Sequence, residues 1–275
     1  MLLEHHDLAE RMPSVALVGV HVYMGTRILS EDVVAENTER ILDLAERIST
    51  ELGFPLEVVD IGGGLGVAYF DGERDLDPQL VADAVNKSAV PFRERFPDTR
   101  LIMELGRYLA APAGMYVIRV RSVKTSFGER FAVADGGTHH HMAAVGIGSF
   151  VKRNFPISKV AGDSGAVLEP WHITGPLCTP NDTLGKNVLI PPLGPGDLIA
   201  VGRSGAYGPT ASPVHFLSHG APAEVLVAAG RAHLIRRRDQ VEDLLEKQSL
   251  YTDADAPTTS SASSSTVLPT IQEKG

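Results

Sequence analysis

The sequence predicts a mixed chain, an α/β part with parallel strands followed by a mostly β part. Three observations carry this prediction. Up to residue 113, short β-branched runs alternate with two long stretches of helical periodicity. After Gly114 the texture changes to closely spaced strand patterns, divided by turn signals such as Asp135-Gly136-Gly137 and Leu193-Gly194-Pro195-Gly196-Asp197. A glycine run, Gly62-Gly63-Gly64, stops one early strand at the end where parallel α/β folds gather their binding groups.

Taken in order, Met1 to Arg11 reads as the last turns of a helix ended by Pro13. Val15 to Tyr23 is nearly all apolar, as a strand covered on both faces would be. Val33, Val34, Ile41, Leu42, Leu44, Ala45 and Ile48 follow helical spacing between Ser30, a plausible N-cap, and Gly53, a plausible C′ residue. Leu56 to Ile61 is the strand that stops in the glycines. Asp77 to Phe96 carries a second helical pattern, with Pro78 at its first position. Leu101 to Glu104 is a third short strand running into Leu105-Gly106-Arg107. Beyond Gly114, strands are expected at Met115 to Lys124, Phe131 to Asp135, around Val188, Leu198 to Val201, Val214 to Leu217 and Val225 to Ala229. Arg236 to Leu250 reads as a charged amphipathic helix, and the Ser/Thr/Ala-rich residues 251–275 as a disordered tail. The chain shows no internal repeat.

Composition narrows the function classes. At 275 residues and 43% hydrophobic composition the chain can bury a sizeable core. A net charge of −9, from 34 acidic and 25 basic residues, argues against a nucleic-acid binder. No apolar run reaches membrane-spanning length and Met1 to Pro13 does not resemble a signal peptide, so a cytoplasmic protein is the expectation. One cysteine excludes an intrachain disulfide, leaving Cys178 either a buried apolar filler or a chemical thiol.

Three groups fall at strand ends: His21, the Gly62 loop, and Glu104 to Arg107. Gly62, Gly63 and Gly64 offer backbone N–H donors to a phosphate, and Arg107 a planar fork matched to phosphate oxygens. Glu104 is an acid able to pair with a protonated ring nitrogen, and His21 a ring able to stack on a flat cofactor. Together they point to pyridoxal phosphate, whose pyridinium nitrogen needs an acidic partner. Taken singly, Arg107 also suits a surface ion pair, Tyr207 a core aromatic and Cys178 an inert thiol. A dinucleotide site fails on spacing, because Val67 stands where G-x-G-x-x-G needs its third glycine. A metal site at His139-His140-His141 is weaker still, since consecutive residues of a strand point to opposite faces.

These motifs resemble the fold-type III pyridoxal-phosphate decarboxylases, the family of ornithine, arginine and diaminopimelate decarboxylases. The matching residues are His21, Gly62-Gly63-Gly64, Glu104-Leu105-Gly106-Arg107, Cys178 with Asp182, and Tyr207 in Gly205-Ala206-Tyr207. The resemblance implies the carboxy-terminal part of an alanine-racemase-like (β/α)8 barrel over residues 1–113. A β-barrel or sandwich domain with a terminal helix would follow over 114–250. It implies a pyridoxal 5'-phosphate cofactor and a head-to-tail homodimer, or a complex with the missing barrel half. His21 would stack on the cofactor ring, Glu104 would bond the ring nitrogen, and Gly62, Gly63, Gly64, Gly106, Arg107 and Tyr207 would surround the phosphate. Cys178 would reach into the partner's site and return a proton after carbon dioxide leaves. Asp182 falls on a recurring acidic position near that thiol, and Arg153 suits a substrate carboxylate or an acidic carrier as well as a solvated surface. His139-His140-His141, Arg153-Asn154-Phe155-Pro156 and Cys178-Thr179-Pro180 are similar to the biosynthetic members, some acting on carrier-bound substrates.

Two departures stand out. Leu105 replaces the proline of the family's acidic-proline-glycine-arginine motif. The Schiff-base lysine, which in the family lies on a barrel strand before the stacking histidine, has no counterpart, because the first lysine here is Lys87 in a helical stretch. An incomplete amino-acid decarboxylase is therefore the first expectation, and a non-catalytic homologue acting as a binding or regulatory partner the second.

Overall fold

The computed structural model describes residues 4, 5, 7, 11–146, 153–161 and 165–251. Most of the amino-terminal helical stretch, and the tail apart from Tyr251, lie outside them. The first half is built on a three-stranded parallel sheet in the order β1 (Gly19–His21), β2 (Val58–Gly63), β3 (Arg100–Glu104). The strand expected over Val15 to Tyr23 is thus confined to its centre.

Helix α1 (Glu31–Leu52) connects β1 to β2. Ser30 caps it through a bond from Val33 N, and Gly53 closes it at φ 69°, a left-handed turn that glycine adopts without a Cβ clash. Its face of Ile41, Leu42, Ala45, Ile48 and Leu52 packs with Val59 of β2. Helix α2 (Pro78–Arg95) connects β2 to β3 and starts on Asp77, whose carboxylate accepts from Gln79 N and Leu80 N. Its Phe92, fully buried, completes the same cluster. Each fully buried side chain of this size contributes about 1.5–3 kcal/mol, so the sheet is fastened chiefly by its helices. The parallel order brings all three strand C-termini to one rim. β1 and β3 each pair only with β2 among the described residues.

After the short α3 (Gly106–Ala110) the chain enters a six-stranded sheet. Its strands are β4 (Tyr116–Ser126), β5 (Glu129–Ala134), β6 (Ile157–Lys159), β7 (Glu169–Thr174), β8 (Thr183–Ile190) and β9 (Leu198–Val201). They lie in the order β6-β9-β4-β5-β7-β8, antiparallel except for the parallel pair β5 and β7. The two ends of that order approach each other, so the sheet is nearly closed. Asn154, just before β6, exchanges two hydrogen bonds with the Lys186 backbone of β8, at 2.7 and 2.9 Å. Ile118, Val120, Ala132, Ala134, Trp171, Ile173, Leu184 and Ile199 fill the interior, and Val67 and Tyr69 from the first half join the same cluster. One core therefore spans both halves.

Two expectations need correcting in the last third. Val214 to Leu217 forms no strand but runs into a single 3₁₀ turn at Phe216–Ser218. Leu217 sits at φ 53°, outside strand geometry. The helix expected from Arg236 is only α4 (Val241–Leu245), because β11 (Arg231–Arg236) pairs with β10 (Glu224–Ala228) as a hairpin and uses the chain up to Arg236. The helix then begins at a capping box between Gln240 and Asp243. No described helix is long and apolar enough to cross a membrane.

Candidate functional site

His21 ends β1, Glu104 ends β3, and the glycines lie between them at the end of β2. Register fixes the grouping: His21 pairs with Asp60, and Gly63 with Glu104. His21 Nε2 stands 3.5 Å from Glu104 Oε2, with both side chains more than half exposed. The ligand atoms of His21, Asp60 and Glu104 all fall within 4.8 Å of one another. Asp60 Oδ1 accepts from Gly62 N at 2.9 Å, so this N–H shapes the turn and is not a donor to a ligand. Gly64 has φ 98°, and a Cβ there would sit 2.2 Å from Gly25 O. Only glycine lets the loops after β1 and β2 come this close, and Ile28 N to Gly64 O and Gly66 N to Ile28 O, both 2.8 Å, stitch them together.

Above this turn lies a cavity of about 280 Å³, lined by Thr26, Gly63, Gly64, Glu104, Arg107 and Tyr207 among others. Arg107, in the first turn of α3, is half-buried and has no carboxylate partner among the described residues. Its Nη1 donates to Tyr69 Oη at 3.2 Å, and its Cζ lies 4.4 Å from the centre of the Tyr207 ring. Tyr207 comes from the loop after β9. Gly205, two residues earlier, packs so tightly on α3 that a Cβ would lie 1.9 Å from Ala110 O. Arg203 grips Asp75 with two bonds of 2.8 and 2.6 Å, which hold the Asp75 carboxyl below its ordinary range.

An unpaired guanidinium over a glycine turn fits a phosphate, and a carboxylate beside an imidazole at the same rim fits a basic ring nitrogen. This donor set suits pyridoxal phosphate. Among the described residues, no lysine lines the cavity.

The structure brings together Gly63, Gly64, Glu104, Gly106, Arg107 and Tyr207, with His21 on the adjoining rim and Gly62 just beneath. The other sequence-derived candidates stand apart. Cys178 is exposed, so it is no buried filler. Asp182 is 2% exposed, and its two oxygens accept from Thr138 N at 2.7 Å and Leu177 N at 2.8 Å. It fastens the loop that carries Cys178 to the histidine turn and has no oxygen turned to solvent. Arg153 is paired with Glu73 at 3.1 Å and lies 4.0 Å over Phe70. The sequence reading missed Tyr69 and Asp60. An aspartate two residues before a glycine is a signal for Asp60, whereas Tyr69 had only its place in the glycine loop.

His139, His140 and His141 lie in a turn, not on the strand assumed from sequence, and all three are buried. Burial lowers His139 to about 3, helped by the nearby His140 and His219, and lowers His140 and His141 to about 4. The native state therefore keeps them neutral while the unfolded chain takes up protons below about 6.5. Stability is expected to be complete above pH 6.5 and to fall as the pH drops from there towards 4. The loss should approach 4 kcal/mol per pH unit for the three together, on the order of 1.4 kcal/mol for each. Urea unfolding at pH 7 and pH 5 checks this, and His141→Phe should flatten the slope by about a third. A pH-independent unfolding free energy over this window would contradict it.

A family profile described as "Pyridoxal-dependent decarboxylase, C-terminal sheet domain" matches residues 22–205. The chain is 42% identical over 246 residues to an L-glutamyl-[BtrI acyl-carrier protein] decarboxylase of Niallia circulans, covering 88% of this chain and 58% of that protein. It is 30% identical over 241 residues to the diaminopimelate decarboxylase of Haemophilus influenzae, covering 88% and 55%. The solved diaminopimelate decarboxylase of M. jannaschii, in complex with L-lysine, superposes with a TM-score of 0.79 at 26% identity, over 89% of this chain and 55% of that one. The chain thus spans a little over half the length of these relatives.

Proposed function

The chain belongs to the pyridoxal-dependent decarboxylases, and from this premise we propose that it carries the phosphate-binding and ring-nitrogen part of an amino-acid decarboxylase site. The observation that carries the reading is Arg107, unpaired over the glycine-lined cavity, with Glu104 across from it. Pyridoxal phosphate, when bound, supplies the electron sink for the bond to the leaving carboxylate. Gly63, Gly64, Gly106, Arg107 and Tyr207 would hold the phosphate, and Glu104 would hold a proton at the pyridine nitrogen. His21, 3.5 Å from Glu104 on the adjoining rim, would stack on the cofactor ring. Cys178, exposed on the loop before β8, would be the proton donor to the α-carbon, acting in the site of a second subunit of a head-to-tail dimer. Residues 1–113 form the barrel part in this reading and 114–250 the β domain, with the lysine contributed by polypeptide outside this chain. Arg153, paired with Glu73, and Asp182, bonded to Thr138 N and Leu177 N, would act on the surroundings of the site.

The similarity to the Niallia circulans protein favours an amino-acyl group carried on a carrier protein as the substrate, with a free amino acid such as diaminopimelate as the alternative. The test combines this chain with the amino-terminal part of that relative and supplies an L-glutamyl carrier protein. Release of carbon dioxide that depends on both polypeptides is the expected result. The absence of lysine from the cavity lining favours a second reading, a non-catalytic partner protein. A stable assembly that releases no carbon dioxide from carrier-bound or free amino acids would overturn the first reading in favour of this one.

A further inference from the structure

Tyr69 follows the glycine turn in the loop between β2 and α2, and it is 2% exposed. Its ring stacks on Phe155 from the other half, with centroids 4.2 Å apart and planes at 25°. Its backbone is held independently, because Glu73 Oε2 accepts from Tyr69 N at 3.1 Å and from Phe70 N at 3.2 Å. Glu73 is itself fixed between Arg27 at 3.0 Å and Arg153 at 3.1 Å. Ring and backbone are thus immobilised from two directions, and the one polar atom of the side chain meets Arg107 Nη1 at 3.2 Å.

We propose that Tyr69 is a positioning residue for Arg107. With Nη1 tied to the phenol and the guanidinium lying against Tyr207, the remaining N–H groups of Arg107 face the cavity in one orientation before any anion arrives. An arginine side chain left to rotate would lose that freedom on binding, at a cost comparable with a charge-assisted hydrogen bond. The buried phenol also has a use for the contact, since without it the hydroxyl would have no partner among the described side chains. The proposal rests on the reading of Arg107 as the anion clamp, and it assigns a task to the Glu73 and Phe155 contacts that no motif explains.

Tyr69→Phe deletes the oxygen and keeps the stack, so it is the variant to test on the full chain. The first readout needs no ligand: the rate at which phenylglyoxal modifies Arg107, mapped by mass spectrometry. The rate is expected to rise about threefold or more, as a freed guanidinium samples solvent, while Arg100 and Arg119 keep theirs. The second is the dissociation constant of pyridoxal phosphate in wild type, Tyr69→Phe, Arg107→Ala and the double variant. Tyr69→Phe should weaken binding roughly 5- to 20-fold when Arg107 is present and by less than about twofold when it is absent. Unchanged labelling of Arg107, or an equal loss in both backgrounds, would overturn the proposal. If none of the four proteins binds pyridoxal phosphate, the cofactor reading fails, and the labelling still decides the role of Tyr69.

Discussion

Replacing Glu104 by alanine is expected to remove most of the decarboxylation rate of the completed enzyme, by about two to four orders of magnitude. The carboxylate ends β3 at the cavity rim, 3.5 Å from the His21 imidazole, where register with Gly63 holds its backbone. In the proposed site its task is to keep a proton on the pyridine nitrogen, because a neutral ring is a poor electron sink. Glu104→Gln separates charge from shape: the amide fills the same space but cannot hold that proton, so it should be nearly as poor as alanine. Cofactor affinity should change far less than rate in both. A Glu104→Ala enzyme within about threefold of wild type would show that another group protonates the ring.

Arg107→Ala is expected to act in the opposite sense, on retention more than on rate. Losing a half-buried guanidinium with no carboxylate partner among the described residues would remove the proposed charge-assisted bonds to the phosphate and should weaken pyridoxal-phosphate binding about 10- to 100-fold. Saturating cofactor should then recover a large part of the rate. Fluorescence titration gives the affinity, and activity at several cofactor concentrations gives the rest. Arg107→Lys should recover little, since an ammonium can neither lie flat against Tyr207 nor donate to Tyr69 and a phosphate from one plane. Wild-type affinity in Arg107→Ala would place the phosphate elsewhere.

How much of this was legible depended on the kind of signal. The α1 and α2 patterns, with Ser30, Gly53 and Asp77 at their ends, could be read because helical period and capping are local properties. β6 and β7 were missed because Ile157–Lys159 is too short to show a period and Glu169–Thr174 contains Pro170. Val214 to Leu217 was misread because its apolar composition suits a strand while its backbone, with φ positive at Leu217, does not. The glycine run, Glu104 and Arg107 were legible as chemistry at strand ends and Tyr207 only through the family resemblance, and the structure gathers them around one cavity. Asp182 carried an acid's signature, yet burial and two backbone donors occupy its carboxylate. Tyr69 was invisible because its partner Arg107 lies 38 residues away and only the parallel sheet brings the two together.

Borohydride reduction in the presence of pyridoxal phosphate, followed by mass mapping, tests most directly whether this chain holds the cofactor's phosphate and ring nitrogen without its lysine. In the assembly with a relative's amino-terminal part, the pyridoxyl label is expected at stoichiometric yield on a lysine of that added part. On this chain alone, Lys87, Lys124, Lys159, Lys186 and the remaining lysines should carry only traces, since no lysine among the described residues lines the cavity. A single stoichiometric pyridoxyl-lysine within this chain would contradict that division of the site.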